Sequence, residues 1–200
     1  VVYFTEKMLE HQGNRIKGKT ITVSGSGNVA QYATEKCIQL GGKVVTLSDS
    51  SGYIMDPEGI DAEKLAFIMD LKNVKRGRIK AYVDQYPKAS FHPGKTPWEV
   101  PCQIALPCAT QNELNGSDAT ILLKNGCLSV GEGANMPCTP KAITQFKQNK
   151  ILFAPGKASN AGGVAVSGLE MAQNSLRYSW TREEVDNRLQ TIMSDIHQSC

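Results

Sequence analysis

The stretch at 21–33, ITVSGSGNVAQYA, places a short apolar run directly before a glycine-rich turn and a helical pattern. The apolar run predicts a buried strand, and the spacing of apolar residues after the turn predicts a helix. Gly25 allows the tight turn, while Gly27 has no side chain and lets a ligand approach the backbone. The first amides of a helix have no intrahelical acceptors and attract anions. The sequence therefore predicts a phosphate-binding loop formed by Gly25, Ser26, Gly27, Asn28 and Val29.

A second predicted strand supports the interpretation of this loop as part of a dinucleotide-binding site. The run KVVTLSD at 43–49 predicts a buried strand that ends at Asp49. Asp49 follows Gly25 at close to the spacing of about 20 residues at which dinucleotide-binding domains place an acid for the adenosine ribose. This acid favours NAD, whereas the two serines after it and the basic segment 72–80 favour the extra phosphate of NADP. A turn without a ligand, and the similar loop with which methyltransferases bind adenosylmethionine, are the alternatives.

Strand and helix patterns alternate along all 200 residues. Short, continuous apolar strands joined by helices predict an α/β fold, with a doubly wound, Rossmann-like, mostly parallel sheet and helices on both faces. The segment 50–59 is rich in turn residues, 76–86 has a helical pattern, and 92–98 is typical of an irregular loop. The expected strands are 43–49 and 103–109, together with the starts of the segments KTITVSGSGN, CLSVGEGANMP and ILFAPGKASNAGG.

Three more loops follow expected strands, with the sequences PCATQNEL, GEGANMP and APGKASNAGG. Because the carboxyl ends of parallel strands meet at one edge of a sheet, we expect these loops near the glycine-rich turn. A carboxamide both donates and accepts hydrogen bonds, which suits a nicotinamide amide or a ribose. The side chains of interest are those of Thr110, Gln111, Asn112, Asn135 and Asn160.

Charge and composition exclude other classes of function. The chain has 22 Lys and Arg against 19 Asp and Glu, a net charge of +3, and no basic stripe interleaved with aromatic residues, so nucleic acid is not an expected partner. No apolar run approaches the roughly 20 residues of a membrane span. The six cysteines lack the spacing of metal ligands, so we expect no metal site. They predict buried free thiols and a reducing, cytoplasmic compartment.

The expected sheet edge lacks a pair of acid–base groups. Glu132 and Lys157 lie in the loops, but a lone charge in a loop is more often a surface residue. His92 and His197 have no recognisable partners. Hydride transfer requires a positioned cofactor, whereas oxidation of an amino acid or alcohol also requires proton transfer. We therefore expect no catalytic residue in this chain. We expect a further domain, before Val1, to supply the groups that transfer protons.

The loops together resemble the glutamate dehydrogenase family, in its hexameric bacterial and lower-eukaryotic branch. The matching stretches are VSGSGNVAQYA, SDSSGYI, IALPCATQNEL, GEGANMP and APGKASNAGGVAVSGLEMAQNS. The resemblance implies that 1–200 form the NAD(P)-binding domain of a longer chain, whose N-terminal substrate domain carries the catalytic lysines and aspartate. It also implies a homohexamer that interconverts L-glutamate with 2-oxoglutarate and ammonia.

The resemblance implies binding roles as well. NADP is favoured as the cofactor, with NAD possible, because SDSSG is similar to NADP-dependent members. The alternatives are a dehydrogenase of leucine, valine or phenylalanine, and a non-catalytic NAD(P)-binding module. The positions that match cofactor-binding residues are Gly25, Ser26, Gly27, Asn28, Val29, Asp49, Ser50, Lys72, Ala109, Thr110, Asn135 and Asn160. The positions that match substrate-binding residues are Val164 and Ser167.

Overall fold

A computed structural model describes every residue from Val1 to Cys200, and a seven-stranded sheet runs through it. The strands are β1 (Thr20–Val23), β2 (Lys43–Asp49), β3 (Gly52–Met55), β4 (Ser90–Pro93), β5 (Ile104–Leu106), β6 (Ser129–Gly131) and β7 (Leu152–Ala154). They lie in the order β4-β3-β2-β1-β5-β6-β7. Strands β2, β1, β5, β6 and β7 are parallel, whereas β3 pairs antiparallel with β2 and β4 pairs antiparallel with β3. This confirms the predicted α/β fold with a mostly parallel sheet.

Nine α-helices connect and cover the strands. They are α1 (Val2–Glu10), α2 (Asn28–Gln39), α3 (Ala62–Met69), α4 (Tyr82–Gln85), α5 (Gly116–Lys124), α6 (Pro140–Gln148), α7 (Gly156–Ser159), α8 (Gly162–Leu176) and α9 (Arg182–Gln198). A π-helical turn, Asp70–Val74, continues α3, and 3-10 turns span Ile79–Ala81 and Pro97–Glu99. Each of the helices is too short or too polar to cross a membrane.

The apolar core lies on both faces of the sheet. Successive side chains of a strand point to opposite faces. Along β5, Ile104 and Leu106 accordingly join one buried cluster and Ala105 joins the other. The first cluster includes residues of α2 and α3, and the second includes residues of α5 and α6. The helices therefore cover both faces, as the doubly wound pattern predicts.

The sequence interpretation was wrong in three segments. Residues 50–59 contain β3 and residues 92–98 begin inside β4, so an antiparallel pair extends the sheet beyond β2. Both strands have only four residues, and β4 ends at a proline. The alternation of buried and exposed side chains is therefore too short to be recognised in the sequence. The expected helix over 76–86 is reduced to a 3-10 turn and the single turn α4.

Asp56, directly after β3, connects the antiparallel strands β3 and β4 to the helices α3 and α4. Its side chain is 1% exposed and accepts hydrogen bonds from Lys64 Nζ at 2.8 Å, the Tyr82 hydroxyl at 2.7 Å and the Glu58 amide at 2.9 Å. Burial alone raises the pKa of this carboxyl, but these three donors outweigh it and hold the pKa below its ordinary value. The ionised carboxylate thus joins β3 to α3 and α4.

We expect Tyr82→Phe to lower the free energy of unfolding by about 1.5–3 kcal/mol at neutral pH, because a buried carboxylate loses a donor. Because the folded pKa of Asp56 is depressed, this contribution is present above the unfolded pKa of about 3.9. It is lost as the pH falls through the folded pKa. Urea unfolding followed by circular dichroism at several pH values measures both effects.

Tyr86→Phe is the matched control, since Tyr86 packs beside Tyr82 without a hydrogen bond from its hydroxyl. An equal, small loss of stability in both variants would contradict the role given to the Asp56 carboxylate.

Candidate functional site

The glycine-rich loop after β1 is fastened to the strands on both sides of it. On one side, the Ser24 amide donates to Leu106 O at 3.2 Å, and the Cys108 amide donates to Ser24 Oγ at 2.9 Å. On the other side, the Gly25 amide donates to Ser48 Oγ at 2.7 Å, and the Ser48 amide donates to Gly25 O at 3.0 Å. The loop is therefore held at the carboxyl ends of β1, β2 and β5.

The two glycines of this loop serve different needs. Gly25 has φ +85°, and a Cβ there would lie 2.9 Å from Cys108 O. The chain itself therefore requires glycine at this position. Gly27 has φ −83°, and a Cβ there would meet no atom within 4 Å beyond its chain neighbours, so nothing in the chain requires glycine at this position. The open space beside Gly27 is available to a ligand.

Gly27 is also the N-cap of α2, and no side chain caps this helix. The first-turn amides have no intrahelical acceptor and carry the positive end of the helix dipole. Asn28 and Val29 are exposed at this end, while Ser26 and Ala30 are buried against the sheet. The five predicted loop residues thus surround an uncapped helix N-terminus, which is suited to phosphate oxygens.

The Asp49 carboxylate is fully occupied by hydrogen bonds within the chain. Its Oδ1 accepts from the Ser51 amide at 2.8 Å and the Ser51 hydroxyl at 2.5 Å. Its Oδ2 accepts from Lys72 Nζ at 3.2 Å and the Ile79 amide at 2.8 Å. A carboxylate has about four acceptor positions, so a further donor has to displace one of these.

Asp49 is accordingly shielded and ionised. Its side chain is 8% exposed. Burial alone raises the pKa of this carboxyl, but the hydrogen bonds from Ser51, Ile79 and Lys72 outweigh that effect and lower it. Lys72 Nζ also donates to Gly77 O at 2.9 Å, which fixes the ammonium beside the end of β2.

An arginine that the sequence pattern did not single out lies at the same strand end. Arg78 Nη1 donates to Ser50 Oγ at 2.6 Å, and both residues are exposed. A hydroxyl beside a guanidinium is suited to a phosphate group. The basic segment 72–80 was the available signal, but spacing alone does not tell which of its cations faces Ser50.

Glu132 corrects another expectation, because it is buried rather than a surface charge. It is 4% exposed. Its Oε1 accepts from the Cys138 amide at 3.2 Å and its Oε2 from the Gly156 amide at 2.6 Å, while the Ser159 hydroxyl donates to its carbonyl at 2.6 Å. The carboxylate therefore joins the loop after β6 to the first turn of α7.

This junction brings two predicted carboxamides together. Asn160 Nδ2 donates to Asn135 Oδ1 at 3.0 Å. In the loop after β5, the Ala109 and Thr110 amides donate to Glu113 Oε1 at 2.9 Å and 3.2 Å. Burial raises the pKa of Glu113 although these amides act in the opposite direction. The predicted residues of three loops thus share one edge of the sheet.

A cleft of about 1090 Å³ opens from this edge between α2, α8 and α9. Asn28, Val29 and Asn160 line it together with apolar residues such as Tyr32 and Trp180. The two residues expected to contact the substrate lie on α8 but outside this lining. Val164 is 78% exposed, and Ser167 is exposed as well.

An open, mostly parallel sheet with helices on both faces is typical of the doubly wound class of α/β proteins. In this class, ligands bind in the crevice formed by the loops at the carboxyl ends of the strands. Within this class, the chain belongs to the Glutamate/Leucine/Phenylalanine/Valine dehydrogenase family, whose family model matches residues 1–200. The resemblance noted in the sequence is thereby confirmed.

Two curated relatives and one solved structure are very similar to this chain. The NAD(P)-specific glutamate dehydrogenase of Xylanibacter ruminicola is 61% identical over 199 residues, and the NADP-specific enzyme of Haemophilus influenzae is 58% identical over 200. The crystal structure of Plasmodium falciparum glutamate dehydrogenase superimposes with a TM-score of 0.97 at 51% identity. All three comparisons cover 100% of this chain, but only 45%, 44% and 43% of those proteins.

We expect opposite results from substitutions at the two glycines. Gly25→Ala forces a side chain into a left-handed backbone against Cys108, so stability falls by about 1–3 kcal/mol. Gly27→Val leaves folding nearly unchanged but occupies the open space, so binding of a phosphate-bearing nucleotide is lost. Thermal unfolding and nucleotide titration measure the two effects. Nucleotide affinity that is unchanged in folded Gly27→Val would remove this loop from the binding site.

Proposed function

We propose that this chain is the coenzyme-binding domain of an NADP-preferring glutamate dehydrogenase. The complete protein then interconverts L-glutamate with 2-oxoglutarate and ammonia. Family membership over the whole chain supports an amino-acid dehydrogenase. The names of the similar relatives favour glutamate over leucine, valine or phenylalanine.

The observation that carries the preference for NADP is the occupied carboxylate at the end of β2. Asp49 has no acceptor position left for a ribose 2′-hydroxyl, so its role at the adenosine-ribose position is to hold Lys72 and the backbone of 79 in place. Ser50 and Arg78 are exposed beside it and offer a hydroxyl and a guanidinium. This pair, with Lys72, suits the dianionic 2′-phosphate of NADP better than the neutral hydroxyl of NAD.

The remaining cofactor positions follow from the same edge. The loop from Gly25 to Val29 and the uncapped N-terminus of α2 suit the pyrophosphate. The exposed loop at Ala109 and Thr110 and the paired carboxamides of Asn135 and Asn160 suit the nicotinamide ribose and amide. The donors and the open space beside Gly27 therefore support binding of a dinucleotide along this edge.

The chemistry is divided between this chain and the remainder of the complete protein. NADP, when bound, supplies the acceptor and donor of hydride. The residues of this chain bind and orient it, and Val164 and Ser167 contact the substrate from α8. We propose that the proton-transferring groups lie in a separate substrate domain, because the chain spans less than half the length of its relatives. Five buried free cysteines support a cytoplasmic location, and the family resemblance supports a homohexamer.

The cofactor preference is tested by titrating the complete protein with NADPH and NADH while following nicotinamide fluorescence. We expect NADPH to bind at least tenfold more tightly, which corresponds to about 1.4 kcal/mol. Arg78→Ala is expected to remove most of that difference by weakening NADPH alone. Lys80→Ala, in the same exposed basic segment, is the control and leaves both affinities unchanged. Tighter binding of NADH to the wild type would contradict the proposed preference.

The substrate position is tested by steady-state kinetics of the complete protein. Ser167→Val is expected to raise the KM for glutamate, because it removes a hydroxyl that we place at the substrate. The control is Ser175→Val, further along the same exposed helix. A KM for glutamate that does not differ between the two variants would remove Ser167 from the substrate pocket.

A further inference from the structure

Two carboxamides, 42 positions apart in the chain, form a reciprocal pair between α2 and the π-helical turn Asp70–Val74. Gln31 Nε2 donates to Asn73 Oδ1 at 3.0 Å, and Asn73 Nδ2 donates to Gln31 Oε1 at 3.0 Å. Gln31 is 1% exposed, whereas Asn73 is exposed at the surface. Neither residue belongs to the set of positions proposed to contact the cofactor.

The glycine-rich loop determines how this pair is oriented. The second hydrogen of Gln31 Nε2 donates to Ser26 O at 2.8 Å. Because a carbonyl oxygen only accepts, the amino group of Gln31 has to face Ser26, and this also fixes the donor and acceptor of Asn73. A single buried amide thus bonds both to the loop proposed for the pyrophosphate and to the π-helical turn.

The π-helical turn contains Lys72, one of the two cations proposed for the 2′-phosphate. Asn73 directly follows Lys72, whose ammonium is held by Asp49 Oδ2 and Gly77 O. The turn is closed by hydrogen bonds from the Lys75 amide to Asp70 O at 3.0 Å and from the Gly77 amide to Leu71 O at 2.8 Å. Arg78 follows immediately. The position of Asn73 is therefore linked to the positions of both cations.

We propose that Gln31 and Asn73 are positioning residues that set the spacing between the pyrophosphate loop and the cations proposed for the 2′-phosphate. This rests on the proposed function. NADP has anionic groups at both ends of this spacing, whereas NAD has only the pyrophosphate. When this spacing is fixed before binding, less conformational entropy is lost as the protein contacts the pyrophosphate and the 2′-phosphate together. The fixed spacing therefore favours NADP over NAD. The amide pair thereby contributes to cofactor selectivity without touching the cofactor.

Asn73→Ala in the complete protein tests this inference. Truncation leaves Oε1 of the buried Gln31 without its donor, so we expect the melting temperature to fall by about 2–4 °C, and the nucleotide titrations are made well below it. The dissociation constant of NADPH is expected to rise at least fivefold and that of NADH less than twofold. Val74→Ala is the matched control, because Val74 is 73% exposed in the same turn and lies outside the amide pair. It is expected to change neither constant.

A second arm asks whether Asn73 acts through the cations. In a variant with Lys72→Ala and Arg78→Ala, the spacing no longer connects two anion sites. Adding Asn73→Ala there is expected to change NADPH affinity by less than twofold, so that the substitutions are strongly non-additive. An independent, fully additive loss would assign Asn73 a general structural role and overturn the inference.

The outcomes also separate this inference from the proposed function. A wild type that prefers NADPH, with the same preference retained in Asn73→Ala, would overturn the inference alone. An equal loss of NADPH and NADH affinity would overturn it as well, since selectivity would be unaffected. A wild type that binds neither nucleotide, or binds NADH more tightly, would overturn the proposed function and this inference together.

Discussion

Backbone and serine hydrogen bonds fasten the loop after β1 to β2 and β5, and they determine where the other loops at this edge of the sheet lie. Ser24 and Gly25 exchange bonds with both neighbouring strands, so the start of α2 has a fixed position relative to the ends of those strands. The end of β2 is held to the same loop, because Ser48, which bonds to Gly25, directly precedes Asp49. The distance from the helix N-terminus to Lys72 and Arg78 is therefore a property of the backbone and of a few side-chain bonds.

Much of the framework could be predicted because its signals are local. The five parallel strands are continuous apolar runs, each followed by a loop with small or turn residues, and the buried interior requires that composition. Helix starts depend on local signals as well. Asp61 and Thr139 accept hydrogen bonds from amides in the first turns of their helices, and Thr181 forms a capping box with Glu184. These features depend on residues three or four positions apart, which a single sequence displays.

What could not be predicted depends on partners that are distant in the chain. Whether Asp49 faces a ribose or the interior depends on Lys72 and Ile79, and no spacing rule connects them. Glu132 looked like a loop charge because its partners are backbone amides, which every residue but proline has and which leave no mark on composition. The π-helical turn shifts the faces of the segment after α3, so helical periodicity did not predict which cations reach Ser50.

The loops that contain Asp49 and Glu132 differ from helix α8 in how many contacts the chain itself provides for them. In the loops proposed for the cofactor, the side chains of Asp49 and Glu132 are satisfied by internal hydrogen bonds, so the entropy of ordering these loops is already lost on folding. By contrast, no residue of α8 is buried, and Val164 and Met171 are 78% and 73% exposed. Covering an exposed side chain of this size releases about 1.5–3 kcal/mol. These loops are thus held by hydrogen bonds within the chain, whereas α8 has exposed apolar surface.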